Sequence, residues 1–287
     1  MSEPRTIVLE SSSGHLHGLI RQLIVLPYEA FITLWAFLLF ELFMILMLPI
    51  AWLHARLHPA HSERAWSEVA QGFFRMYLYV AGVRLVVEHS EYLPQSGQSV
   101  VFAANHASLV DGLLWGAVFR APIVALILPP GHIIWPMDLW LTKAGSLPIA
   151  RNPEERTRFP KLVWGEKAVG AAAKTVMTRR TSLLVFPEGH VERTRRVQRF
   201  HTGAVRIALR AGVPLVPLTI RGAERVFSPN RFTMWPGTIT IRVHPPFDLT
   251  PYYGKQRNRA LVRQLTERLR RVIVRDLPET YTTTPTT

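Results

Sequence analysis

The chain has 287 residues, a length that suits one α/β domain with an appended segment, or two smaller domains. Hydrophobic residues make up 48% of it and the formal net charge is +14, which favours anionic partners such as lipid headgroups, phosphorylated substrates, acidic carriers or nucleic acid. Cysteine is absent, and this excludes a disulfide framework, a thiolate zinc site and a cysteine nucleophile.

An apolar run at residues 30–53 is the first feature along the chain, and it contains a single charged residue, Glu41. A helix of this length is about 36 Å long, enough to cross the hydrocarbon core of a bilayer. Trp35 and Trp52 lie near its two ends, where transmembrane helices often place aromatic residues. The run therefore predicts a membrane-associated helical segment, with a lipid bilayer as an expected partner.

We place this segment at residues 23–75, after a polar leader at residues 1–22. Glu41 and Pro49 weaken a simple spanning helix, so a re-entrant or in-plane hairpin and a buried helix of a soluble core remain alternatives. Arg21 precedes the run, and three arginines follow it within the segment, namely Arg56, Arg64 and Arg75. This bias favours the cytoplasmic side for the part that follows, so we expect any active site on the cytoplasmic face of the membrane.

Three histidines after the run, His54, His58 and His61, have a spacing that could ligate a metal ion. No acidic residue lies between the first two, as it does in zinc proteases, so we interpret them as interfacial residues. We expect neither a metal site nor a bound cofactor.

From residue 84 onwards, apolar strand patterns alternate with helical patterns, which is the order typical of α/β proteins. The predicted strands cover residues 84–88, 99–104, 182–186, 215–220 and 238–243. The predicted helices cover residues 109–119, 161–179, 200–211 and 255–275, the last with an arginine-rich outer face. We therefore predict an α/β domain at residues 76–277, with a mixed central sheet flanked by helices, and a disordered tail at residues 278–287.

A histidine and an aspartate follow the second predicted strand. His106 stands where this strand ends and a helix begins, and Asp111 comes in the first helical turns. In α/β sheets, ligands and reacting groups collect at such strand ends. A neutral imidazole can act as a general base near neutral pH, and a carboxylate can fix its tautomer. The pair predicts a catalytic dyad, with a helix-capping or purely structural histidine as the alternative.

A second short motif, Phe-Pro-Glu-Gly at residues 186–189, follows another apolar strand pattern. Proline fixes the backbone and glycine permits a sharp turn, so Glu188 is presented at the end of the strand. An ordinary β-turn with an exposed acid is the alternative. The sequence contains neither a G-x-S-x-G motif nor a cysteine, so a covalent acyl-enzyme intermediate is not indicated.

Together with two further blocks, these motifs resemble the glycerolipid acyltransferases, the family that includes the 1-acylglycerol-3-phosphate acyltransferases. The family shows N-H-x4-D, G-x-[IL]-x-[IV]-x-R, F-P-E-G-[TS]-R and V-P-[IVL]-[VI]-P in this order. The corresponding blocks here stand at residues 105–111, 145–151, 186–189 and 213–217. The resemblance covers roughly residues 84–245, and four blocks in order are far more specific than any one of them.

The resemblance implies a membrane-bound O-acyltransferase that moves a fatty acyl group to a hydroxyl of a lysophosphatidate-like lysolipid. The donor would be a thioester of coenzyme A or of acyl carrier protein. His106 would be the general base and Asp111 its partner. The implied substrate-binding residues are Asn105, Arg151, Glu188, Gly189 and Arg193, of which Arg151 would bind the acceptor's phosphate through its planar fork.

The chain departs from the family pattern on the acceptor side. Val191 stands at the family's arginine position, and Arg193 lies just beyond it at a different offset. His201 stands where the family commonly has lysine. A different lysolipid or a glycolipid hydroxyl therefore remains an alternative acceptor.

Two other functions remain alternatives at this point. One is a transacylase or lipase-like hydrolase that uses the same histidine and aspartate. The other is a basic membrane-binding protein without activity. Nucleic-acid binding is the weakest interpretation, since no finger, homeodomain or RNA-binding signature is present.

Overall fold

The structure is a computed structural model that describes residues 26–95, 97–119, 123–129, 135–191, 196–228, 234–279 and 281–283. The predicted leader at residues 1–22 and the candidate residue Arg193 lie outside the described residues. Within them, strands and helices alternate along the chain, which confirms the predicted α/β class.

The strands of the described part are β1 (Val83–Glu88), β2 (Val101–Ala104), β3 (Ile123–Ile127), β4 (Leu147–Pro148), β5 (Ser182–Val185), β6 (Arg196–Val197), β7 (Leu215–Arg221), β8 (Gly237–Val243) and β9 (Thr282–Thr283). Seven of them form one sheet in the order β1-β8-β7-β2-β5-β3-β4. Neighbours in it are parallel, except that β7 and β8 are antiparallel. The central sheet is therefore mixed, as predicted.

The helices of the described part are α1 (Leu26–Leu57), α2 (Ser62–Val80), α3 (Asp111–Val118), α4 (Met137–Lys143), α5 (Pro153–Arg158), α6 (Glu166–Arg179), α7 (Gly203–Ala211), α8 (Ala223–Val226) and α9 (Arg259–Arg275). Successive side chains of a strand point to opposite faces of the sheet. Phe102 of β2 accordingly packs in a core with α1, α2, α3 and α4, and its neighbour Val101 packs in a second core with α6, α7 and α9. The sheet thus lies between two helical layers.

Some element bounds differ from the sequence prediction. Strand β3 was not predicted, because its short apolar run fits a buried helix as well as a buried strand. Helix α6 begins only at Glu166, after Gly165 with a φ of 55°. Helix α9 begins at Arg259, since the side chain of Asn258 caps it by accepting a hydrogen bond from the backbone N–H of Leu261.

Helix α1 has 32 residues and is long and apolar enough to cross a membrane, judged by length and composition alone. Only Phe40, Met44 and Ala51 of this helix are buried, and they face α2 and α4. Phe43, Met47 and Leu48 are partly buried, and most of its other large apolar side chains are exposed, with Phe31 62% and Trp52 59% exposed. A soluble core helix would bury such a surface, so α1 has the properties of a membrane-associated helix.

Helix α2 is part of the folded domain as well as of the predicted membrane segment. The boundary we expected between residues 75 and 76 falls inside it. A Cβ atom added to Gly116 of α3 would lie 2.5 Å from Cδ2 of Phe74, so α2 and α3 pack at close range. The Arg75 guanidinium donates to the carbonyl of Ala117 at 2.9 Å and so satisfies the C-terminal end of α3. The position of α3 therefore depends on α2.

Part of the tail that we expected to be disordered is paired. Strand β9 runs parallel to β6, with Arg196 opposite Thr282 and Val197 opposite Thr283. Residues 284–287 lie outside the described part of the chain.

Candidate active site

His106 and Asp111 meet at the carboxyl end of β2, as the sequence predicts. Asp111 is the first residue of α3, so its side chain folds back over the loop that joins the strand to the helix. Its Oδ2 atom accepts a hydrogen bond from Nδ1 of His106 at 3.0 Å and from the backbone N–H groups of Ala107 and Ser108 at 2.9 Å. Three donors thus converge on one carboxylate oxygen.

The aspartate is fully buried, and its burial raises its pKa, against the lowering effect of the hydrogen bond from His106. Because Oδ2 of Asp111 accepts a hydrogen bond from the Nδ1–H group, the Nε2 atom of the neutral ring carries the lone pair. The imidazole also stacks on the ring of Phe186, with centroids 4.0 Å apart and planes 17° apart. With its side chain 17% exposed, the ring is held on two sides and remains accessible to a reacting hydroxyl.

Asn105 is buried and makes backbone-like hydrogen bonds between strands. Its Oδ1 accepts from the N–H of Ile220 at 2.8 Å, and its Nδ2 donates to the carbonyl of the same residue at 3.0 Å. The side chain thereby continues the ladder between β2 and β7 one residue beyond β2. Its place in the structure is that of an anchor for the backbone of His106, and both its hydrogen-bonding groups are occupied by the protein.

Glu188 is 2% exposed, which contradicts the alternative of an ordinary turn with an exposed acid. Its Oε1 atom accepts from the backbone N–H of His106 at 3.0 Å, and its Oε2 atom accepts from that of Gln198 at 3.1 Å. The next residue, Gly189, has a φ of 77°, a conformation that favours glycine, and faces the ring of His201. The carboxylate therefore joins the catalytic loop to the segment that follows the Phe-Pro-Glu-Gly turn.

Arg151 lies beside this turn, because one of its terminal nitrogens donates to the carbonyl of Gly189 at 3.2 Å. It also forms a close, forked ion pair with Glu155, four residues later in α5. The Oε2 atom of Glu155 also accepts a hydrogen bond from the backbone N–H of Arg151 at 2.9 Å. The arginine is brought to the site as predicted, but its charge is paired.

Sequence reasoning missed Glu155, Gln198 and Arg270. Arg270 of α9 is 6% exposed and donates to the carbonyls of Val197 and Gln198 at 3.3 and 3.2 Å. Arg270 thereby holds the backbone of Val197 and Gln198, and the N–H of Gln198 donates to Glu188. An arginine among apolar α9 residues was the available signal, but nothing near it in the sequence indicates its partner Gln198, which lies 72 positions away.

An open cavity of about 390 Å³ lies next to Glu188. Two histidines and an arginine contribute to its lining. The residues that line the cavity are Glu188, His190, Gln198, Arg199, Phe200, His201 and Thr202. Arg193, the remaining candidate, belongs to residues 192–195, outside the described residues. Among the described residues, no group of three or more histidine, aspartate or glutamate side chains is arranged to hold a metal ion.

Residues 84–221 match the family model described as Acyltransferase. The acyltransferase domain therefore includes both halves of the dyad, the Arg151 pair and the Phe-Pro-Glu-Gly turn.

Named relatives share this region. The chain is 26% identical over 205 residues to a 1-acyl-sn-glycerol-3-phosphate acyltransferase of Cocos nucifera, covering 71% of this chain and 60% of that protein. It is 29% identical over 192 residues to the protein of the same name in Escherichia coli, covering 64% of this chain and 69% of that protein.

A solved structure shares the fold of the acyltransferase domain. The 1-acyl-sn-glycerophosphate (LPA) acyltransferase of Thermotoga maritima superposes with a TM-score of 0.62 at 20% identity, over 90% of this chain and 97% of that one. At this identity the likeness establishes the fold alone.

Proposed function

We propose that the protein is a membrane-associated O-acyltransferase that moves a fatty acyl group from a thioester to a hydroxyl of a lysophosphatidate-like lysolipid. The observation that carries this proposal is the His106–Asp111 pair, with Nδ1 and Oδ2 3.0 Å apart, at a strand end of an acyltransferase-family domain. The names of the relatives support this acceptor class.

His106 acts as the general base. Its Nε2 atom takes the proton of the acceptor hydroxyl while the hydroxyl oxygen attacks the thioester carbonyl, and Asp111 stabilises the imidazolium that forms. When the tetrahedral intermediate collapses, the C–S bond breaks and the imidazolium returns the proton to the departing thiolate. An ester and a free thiol result, so the step needs no further reactant.

The residues around the dyad hold its geometry and the acceptor. Asn105 and Glu188 fix the backbone on either side of the catalytic loop. Arg151 contributes to binding of the acceptor's phosphate beside Gly189. Arg193, beyond the described residues, is proposed as a second contact of that phosphate.

The test is acyl transfer by the purified full-length protein, supplied with an acyl-CoA and lysophosphatidate. We expect His106→Ala to fold like the wild type and to lose about 10²–10⁴-fold in kcat. Near-wild-type turnover of this variant would contradict the mechanism. If the protein instead releases fatty acid from a diacyl lipid supplied alone, the hydrolase alternative replaces the acyltransferase.

The exposed face of α1 is proposed as the membrane anchor, with the domain on the cytoplasmic side because more arginines follow the apolar run than precede it. Replacing the exposed Phe31, Leu34 and Leu38 by Asn should release the protein from sedimented vesicles. These positions are preferable to a deletion, since removing α1 would also take Met44 from the core. Release of the intact protein by high salt alone would show that the helix is not inserted.

A further inference from the structure

The two helical layers of the fold differ in charge. Counting lysine and arginine against aspartate and glutamate, α6, α7 and α9 carry net charges of +2, +2 and +5. On the other side of the sheet, α1 and α3 each carry −1, and α2 and α4 are neutral. The positive charge of these described helices is therefore concentrated on the layer that faces away from the apolar helix α1.

Helix α9 presents most of this charge to solvent. We define its basic face as the exposed arginines of the helix, Arg259, Arg263, Arg268, Arg271 and Arg275. The single acid of the helix, Glu267, faces the buried Arg270 at 3.8 Å. Residues three and four apart lie on the same side of a helix, so Arg268, Arg271 and Arg275 form a positive strip, and Glu267 separates Arg263 from Arg271.

Hydrogen bonds through the buried Arg270 connect helix α9 to the candidate active site. Arg270, next to Arg271 in the helix, donates to the carbonyl of Gln198, and the N–H of Gln198 donates to Glu188. Glu188 in turn accepts from the backbone of His106. A partner bound to the basic face would therefore lie beside the segment that borders the catalytic loop.

We propose that the basic face of α9 docks an acidic protein that carries the acyl chain as a thioester. This inference rests on the proposed acyltransferase function and specifies its donor. The exposed apolar surface of α1 would contact a bilayer, and α1 and α9 lie on opposite faces of the sheet. Contact with the membrane therefore does not account for the positive charge of α9. An acidic protein surface complements a strip of arginines and is steered to it at long range.

The test compares two double variants of the full-length protein. Arg263→Glu with Arg271→Glu reverses charge on the basic face, and Arg84→Glu with Lys143→Glu reverses the same charge at exposed positions elsewhere. For each we would measure the KM for hexadecanoyl acyl carrier protein and for hexadecanoyl-CoA, direct binding of labelled acyl carrier protein, and binding to vesicles containing phosphatidylglycerol.

At low ionic strength, the basic-face variant should raise the KM and Kd for the carrier protein about tenfold or more. Its KM for hexadecanoyl-CoA and its vesicle binding should match the wild type, and the second variant should match the wild type throughout. Carrier binding that is absent in the wild type, or unchanged in the basic-face variant, would overturn the proposal. An equal rise in KM for both donors would assign the face to coenzyme A phosphates, and loss of vesicle binding would assign it to the membrane.

These outcomes are distinct from failure of the proposed function. If hexadecanoyl-CoA supports transfer and the carrier protein neither binds nor donates, the acyltransferase function stands and the docking proposal is wrong. If neither donor supports transfer, the proposed function is wrong, and the binding measurement alone decides whether the basic face recognises an acidic protein.

Discussion

Replacing Asp111 by asparagine should separate the charge of this proposed catalytic carboxylate from its geometry. The Oδ2 atom accepts from His106 and from two backbone N–H groups, whereas Oδ1 is buried without a hydrogen-bond partner among the described residues. An asparagine must keep its oxygen in the place of Oδ2, since its NH₂ group would face those N–H donors. The variant therefore retains the tautomer of His106 and loses only the negative charge.

The size of the effect follows from that charge. Two unit charges about 4 Å apart attract by roughly 4 kcal/mol at an effective dielectric constant of about 20. His106 becomes positively charged in the transition state, so we expect kcat of Asp111→Asn to fall about 10²–10³-fold. The fall should appear in kcat, with the KM values of both substrates little changed.

The stability that Asp111 contributes to the fold should decrease as the pH rises. Burial raises the pKa of Asp111, so the stability this group contributes is present at pH values below its ordinary range and is lost as the pH rises through the raised pKa. Asparagine does not titrate there, so the Tm difference between wild type and variant should shrink towards alkaline pH.

The assay is steady-state transfer from an acyl-CoA to lysophosphatidate, with Tm measured across pH on the same samples. Asp248→Asn, a change at an exposed carboxylate on another loop, is the matched control and should leave kcat unaltered. A kcat of Asp111→Asn equal to that of the wild type would refute an electrostatic role for the aspartate. A variant that does not fold would refute the geometric argument.

Two further predictions concern a second ion pair and a buried histidine. Glu155→Gln should raise the KM for lysophosphatidate about tenfold, because loss of a charge-assisted hydrogen bond leaves Arg151 without a fixed orientation, while the exposed Glu154→Gln should not change it. An unchanged KM would show that the pair is only structural. Burial lowers the pKa of His244, so wild-type stability is complete above the ordinary histidine pKa of about 6.5 and falls as the pH drops through the lowered value. In thermal denaturation, the Tm of His244→Gln should fall less on acidification than the Tm of the wild type. An equal fall in both would contradict the role of His244 in the acid sensitivity of the fold.

The sequence allows the dyad to be predicted because its geometry is local. His106 and Asp111 are five positions apart on one strand-to-helix connection, and a side chain in the first turn of a helix can fold back over the loop before it. The strands are recognisable for a similar reason, since β2, β5 and β7 are continuous apolar runs, as strands buried on both faces must be. Each of these features depends on neighbouring residues alone.

Features that depend on the order of strands could not be predicted in the same way. Glu188 and His106 are 82 positions apart, and they meet because β2 and β5 are neighbours in the sheet. Asn105 and Ile220 are 115 positions apart and meet because β7 lies on the other side of β2. Periodicity identifies strands but does not order them, so only the family resemblance placed these motifs in one site.

The Arg151–Glu155 pair changes what can be expected of the acceptor site. As a pair the two side chains are formally neutral, so Arg151 alone does not balance the charge of a phosphate. A buried or partly buried phosphate needs further donors, and the cavity beside the Phe-Pro-Glu-Gly turn offers His190, Arg199 and His201. The proposed phosphorylated acceptor would therefore have its charge distributed over several side chains instead of one arginine.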